Sequence, residues 1–258
     1  MSEFNWRLKL KNETWEEGKV VTLVDGSYRI RCVVTCYAAG RQTAEFANGI
    51  HKIGAYAELM RPDGTWIYQG TNIVPVLPDG RLIMIVEQRP PQFRLPAQPR
   101  SIALFGDNRS IDLSTFGPYS SLEFPGGAVD ETDKFDAGFL RELTEETEVE
   151  PQPVQLYLRR PPFFPQGSDI ALEMSVGVVF LTRHRFSNFV NNDGGLHVLA
   201  LTPDEIQMNI WAGNIRSGQA ALHGWAFYQE VMNARRNENL LRAMKDSGYI
   251  SVRPVTIK

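Results

Sequence analysis

Residues 122–149 read LEFPGGAVDETDKFDAGFLRELTEETEV, and the fold turns on how that stretch divides. An apolar strand end runs into Pro125-Gly126-Gly127, a turn signal, and the spacing beyond it predicts a helix from about Thr132 to Thr147. On that helix Arg141-Glu142-Leu143-Thr144-Glu145-Glu146 sets three acids close together. At about 100° per residue, Glu145 and Glu146 fall about −60° and +40° from Glu142, with Leu143 at about 100° and Leu140 at about 160°. The three acids are thus expected on one face and the leucines on another.

Carboxylates at i,i+4 weaken an exposed helix by a few tenths of a kcal/mol, ~0.2–0.5 per pair, so this cluster needs compensation. Converging hard oxygens are the ligand set of Mg²⁺ or Mn²⁺, which complete their shells with waters and substrate phosphates. Arg141 is placed to hold one carboxylate and orient it. An isolated E-x-x-E-E is more often a solvated acidic face. The Gly-Gly turn at a fixed distance upstream shifts that weighting toward a site.

With that spacing, residues 127–149 resemble the Nudix box, G-x5-E-x7-R-E-U-x-E-E-x-G-U, where U is a bulky aliphatic residue. Gly127, Arg141, Glu142, Leu143, Glu145, Glu146 and Val149 match in register. Asp133 stands where the pattern has Glu, keeping a charge that suits the helix N-terminus but shortening its reach. Glu148 replaces the Gly that normally ends the helix. The resemblance implies the α/β class, an α/β/α sandwich around a mixed β-sheet. It also implies Mg²⁺ or Mn²⁺ as cofactor, held by Glu142, Glu145, Glu146 and the carbonyl of Gly126, and hydrolysis of the pyrophosphate of a nucleoside diphosphate derivative.

Further stretches are similar to the ADP-ribose pyrophosphatase branch: Glu87-Gln88-Arg89, residues 122–126 and 127–130, Pro165 sixteen residues after Val149, and Gly167-Ser168-Asp169. This implies ADP-ribose as substrate, giving AMP and ribose 5-phosphate, with Gly127 and Pro165 as substrate contacts and Arg89 and Glu123 as substrate or metal contacts. For Arg89 and Glu123 a surface ion pair and a strand-end acid carry nearly equal weight. The resemblance places a general base in a later loop, where Asn191-Asn192-Asp193-Gly194-Gly195 offers Asp193, or among the helix glutamates. A solvated turn acid is the commoner explanation of Asp193. Glu145, Arg141 and Asp193 are the catalytic candidates. The competing reading, a nucleotide-sensing module, is disfavoured by the intact glutamates.

Upstream, residues 19–37 alternate β-branched and polar residues around Asp25-Gly26, a hairpin signal. Residues 55–70 and 72–90 each read as strand-turn-strand about a Pro-Asp-Gly turn, the second more apolar and therefore inside the main sheet. Residues 1–70 are expected to form a β-rich N-terminal section and 71–258 a catalytic domain. Residues 90–120, rich in Pro and Gly, read as a long surface insertion. Downstream come strands at 154–160, 171–182 and 196–202, a helix capped by Thr202 with Pro203 first in it, and a helix pair over 219–245. Phe93, Phe105, Phe116, Tyr119, Phe163 and Phe164 are candidates to stack on a base, core or lid packing being the commoner role. The four histidines are scattered and receive no catalytic role.

The chain has 258 residues, a formal net charge of −3 and two cysteines, Cys32 and Cys36, which read as small half-buried hydrophobes rather than metal ligands. That charge gives no general attraction to nucleic acid, so the expected partner is a small nucleotide. No stretch reaches the ~18 apolar residues of a membrane span and the N-terminus lacks a signal peptide, pointing to the cytoplasm. By resemblance to the ADP-ribose branch, the N-terminal strands imply a homodimer.

Overall fold

Five consecutive apolar residues, from Leu82 to Val86, leave no polar position to face water, so a strand made of them must be covered on both sides. A computed structural model has that arrangement. It describes residues 20–25, 28–38, 50–60, 66–88, 101–104, 109–116, 120–129, 135–147, 154–159, 162–163, 172–182, 197–215, 217 and 221–255. Leu82, Met84 and Val86 enter one buried cluster, Ile83 and Ile85 the other, and all five are at most 2% exposed.

The chain divides into two compact units, Met1–Tyr68 with Gln166–Leu172, and Gln69–Pro165 with Glu173–Lys258. In the first, β1 (Val20–Asp25), β2 (Tyr28–Ala38), β3 (Ile50–Met60) and β4 (Trp66–Ile67) form an antiparallel sheet in chain order. Asp25 pairs with Tyr28, so a two-residue connection closes the first hairpin where the Asp-Gly signal stood.

The second unit holds β5 (Gln69–Val76), β6 (Leu82–Gln88), β7 (Ser101–Leu104), β8 (Arg109–Asp112) and β9 (Ser120–Glu123). These are followed by α1 (Phe135–Thr147), β10 (Val154–Arg159), β11 (Glu173–Phe180), β12 (His197–Leu201), α2 (Pro203–Trp211), α3 (His223–Arg235), α4 (Glu238–Asp246) and β13 (Ile250–Val255). The main sheet runs β12-β6-β5-β11-β10-β13, with β9 also on β6. It is mixed because β5 and β11 are parallel while the other pairs are antiparallel. Helix α1 lies on β5 and β6, where Leu143 shares a core with Ile73, Ile83 and Ile85; α3 lies on β5 and β11 and puts Tyr228 and Val231 into the other core. Helices on both faces of a mixed sheet make the α/β/α arrangement expected from the sequence. Among the described residues no helix is long and apolar enough to cross a membrane.

The capping signals read from the sequence are realised. Thr202 Oγ1 accepts from the Glu205 N–H at 3.2 Å, Glu205 Oε2 accepts from the Thr202 N–H at 2.8 Å, and Pro203 opens α2. The helical stretch 219–245 resolves into α3 and α4, separated where the Asn237 side chain accepts from the Leu240 N–H at 3.1 Å and starts a new helix.

Two elements were not anticipated. Within the presumed insertion, β7 and β8 pair as a hairpin and a 3₁₀ turn at Leu113–Phe116 buries Leu113 completely. Four-residue strands are too short to show a period and gain their order from each other. Strand β13 contains Pro254, which reads against a strand, yet it sits at the sheet edge on β10, the place where a residue lacking an N–H is tolerated.

Candidate functional site at the Gly-Gly turn

Strands β5 and β6 pair only at Val76 and Leu82 and then diverge, while β6 continues with β9 from Ile85–Glu123 to Gln88–Ser120. The chain leaving β9 fills the resulting wedge along β5. Ile73 N–H donates to Pro125 O at 2.8 Å, Thr71 N–H to Gly127 O at 2.8 Å, and Val129 N–H to Gln69 O at 2.9 Å, with Gly70 opposite Ala128. The turn is therefore held as a false strand, and its backbone is approached too closely for side chains. A Cβ on Gly126 would strike the Thr71 carbonyl, and one on Gly127 would strike the Glu142 carboxylate.

Helix α1 presents its acids to this turn unequally. Leu143 is 0% exposed, Glu142 is 8% exposed, and the Glu145 side chain is 56% exposed. The acids thus differ in exposure along the one face they were expected to share. Glu142 and Glu146 stand where the solvent-facing arc meets the arc of Leu143 and Thr147, so packing Leu143 on the sheet draws Glu142 beneath the turn. Burying Leu143 contributes about 2 kcal/mol, enough to impose that rotation.

Each acid is restrained. Gly126 N–H donates to Glu146 Oε2 at 2.7 Å. Arg141 donates through Nη1 to Glu145 Oε2 at 2.9 Å and pairs through Nη2 with Glu142 Oε1 at 3.1 Å. One guanidinium therefore orients two carboxylates, not the single one expected, and relieves their repulsion.

Strand alternation settles Glu123. Leu122 and Phe124 both enter the core under α3, so Glu123 between them faces the α1 side, and it is 0% exposed. It is the last residue of β9, a strand-end acid as the alternative reading had it, but a buried one. Arg89, Pro165, Asp193 and Asp133 lie outside the described residues, as do Phe93, Phe105, Tyr119 and Phe164. Phe116 packs on His197 with centroids 4.3 Å apart, and Phe163 on His223 at 4.6 Å with the Arg159 guanidinium 4.7 Å from its ring, so both rings already have intramolecular partners.

Sequence reading missed Thr71. Ile73, two residues on, shares a core with Leu143, whereas the Asn72 amide oxygen lies against Gly224 on the opposite face, so Thr71 is on the α1 side and across from Gly127. It is 2% exposed, and among the described residues its Oγ1 has no hydrogen-bond partner. Leaving such a hydroxyl unsatisfied costs about 1–3 kcal/mol. The signal available in the sequence was the polar position in phase with Ile73 in an otherwise buried strand.

Among the described residues, no three His, Cys, Asp or Glu side chains stand grouped so as to hold an ion between them. The carboxylates gathered at the turn are those of Glu142 and Glu146; the Gly126 N–H is turned off β5 toward α1, while the carbonyls of Pro125 and Gly127 bond to β5.

Comparison with curated proteins finds no match. Residues 104–220 match the family model described as the NUDIX domain, a span that takes in the Gly-Gly turn and all of α1. The segment that carries the Gly-Gly turn and α1 is therefore similar to a NUDIX domain.

Proposed function

We propose that the protein is a divalent-cation-dependent pyrophosphohydrolase acting on a nucleoside diphosphate derivative, with ADP-ribose, cleaved to AMP and ribose 5-phosphate, as the leading substrate. The observation that carries this reading is the delivery of Glu142 and Glu146 by α1 to a glycine turn pinned along β5. The donors there are all hard oxygens, and an unsatisfied hydroxyl, that of Thr71, lies on the same side of the sheet; such a set suits Mg²⁺ or Mn²⁺. Glu142, Glu146 and the Gly126 carbonyl would hold the ion, with Glu145 as the remaining carboxylate. When bound, a divalent cation neutralises diphosphate charge and lowers the pKa of a water that it coordinates.

The chain's own groups supply the rest. Arg141 keeps Glu142 and Glu145 in fixed orientations, and the Gly126 N–H does so for Glu146. We assign the proton of the attacking water to Glu145, the most exposed of the three, with Asp193 as the alternative base. The water oxygen bonds to phosphorus, the bridging P–O bond breaks, and the pyrophosphate divides into two phosphate monoesters. Arg89, Glu123, Gly127 and Pro165 are assigned to substrate by their likeness to the ADP-ribose branch, and the N-terminal section to a homodimer contact.

Chromatographic product analysis with Mg²⁺ or Mn²⁺ and a panel of ADP-ribose, NADH, FAD, UDP-glucose, diadenosine polyphosphates and nucleoside triphosphates tests this. AMP and ribose 5-phosphate from ADP-ribose, lost in Glu146→Gln, are expected. Cleavage of another compound keeps the chemistry and changes the substrate. Tight binding with no cleavage of any compound replaces the enzyme by a sensor.

A further inference from the structure

Resting on the cation site proposed above, we infer that Thr71 is a positioning residue of that site, its Oγ1 accepting a hydrogen bond from a water in the ion's hydration shell. Three observations converge on it. Thr71 is 2% exposed and its hydroxyl is unpartnered among the described residues. It shares the α1 side of β5 with Ile73, which packs in the core of Leu143, the residue next to Glu142. Its N–H is bonded to the Gly127 carbonyl at 2.8 Å, and Gly127 is the residue against which the Glu142 carboxylate rests.

A position needing only bulk in this strand would suit valine, as Ile73 and Val74 beside it indicate. A buried hydroxyl without a partner instead calls for an explanation, and a bound water or ion beside it is one. Mg²⁺ and its analogues keep several waters, and a water whose lone pair faces a cation has only its protons to offer. It needs an acceptor, and a hydroxyl oxygen can serve where a valine methyl cannot.

The test uses the full chain, Thr71→Val, Thr71→Ser and Glu146→Gln, titrated calorimetrically with Mn²⁺ alone and melted without metal. Thr71→Val is expected to bind Mn²⁺ about tenfold more weakly, the loss of one hydrogen bond, yet to melt no lower than wild type without metal because it removes an unsatisfied group. Thr71→Ser is expected to stay within about threefold of wild type. Equal Mn²⁺ affinity for wild type and Thr71→Val, with Glu146→Gln impaired, overturns the role of Thr71 and leaves the cation site standing. Weakened binding that Thr71→Ser does not restore, together with a lower metal-free melting point, also overturns it by showing a packing defect. Absence of Mn²⁺ binding in wild type defeats the cation site itself and the inference with it.

Discussion

Gly127 shows how much of this site depends on an atom that is not there. Its missing side chain lets the Glu142 carboxylate lie against the turn, while its carbonyl is held by Thr71. Gly127→Ala forces either the carboxylate or the turn to move. A destabilisation of about 1–3 kcal/mol in urea denaturation is expected, with at least roughly tenfold lower kcat/KM in initial-rate assays. Wild-type stability and rate in this variant would mean that Glu142 is not held against the turn. Residue identity here was legible in the sequence, because glycine spacing and the acids declare themselves. The burial of Glu142 and Glu123 was not, since helical phase alone leaves residues at the edge of an apolar arc free to face either way.

Among the elements, α3 carries a pH response. His223 lies in its first turn, packed on Phe163, and its pKa is lowered below the usual 6.5 by burial and then by the charge of Arg159. The positive end of the helix dipole acts in the same direction. With the folded pKa below the unfolded one, both states are neutral above the unfolded value. As pH falls through about 6.5 the unfolded chain takes up the proton first, and stability is lost down through the folded pKa. Thermal denaturation at matched ionic strength is expected to give a lower midpoint at pH ~5.5 than at pH ~7.5, and His223→Gln should flatten part of that slope. An unchanged slope in the variant would assign the response to other groups. Long elements such as α1 and α3 were readable because several turns repeat the same pattern. The β7–β8 hairpin and β13 were not, because their order comes from partners rather than from their own four to six residues.

For the whole molecule, the unit comprising Gln69–Pro165 and Glu173–Lys258 encloses both buried clusters and the proposed site. A chain of residues 69–258 is therefore expected to melt cooperatively and retain near-UV circular dichroism. By light scattering at micromolar concentration it should be monomeric, against a dimer for the full chain, if the N-terminal section forms the proposed contact. Loss of cooperative melting in the fragment would show that this core needs the first unit, and a monomeric full chain would remove the homodimer.

Local chemistry is what the sequence by itself determined: the box spacing, the Pro78-Asp79-Gly80 and Gly126-Gly127 turns, the Thr202 cap, and the placing of Leu82 to Val86 inside the main sheet. Each is written within a few residues of itself. Tertiary structure alone decided the wedge between β5 and β6, the inward turn of Glu142 under Gly127, the burial of Glu123 and the placing of Thr71 beside them. These depend on register between strands distant in the chain, and a residue's period gives its face only after a neighbouring strand or helix has chosen which face is covered.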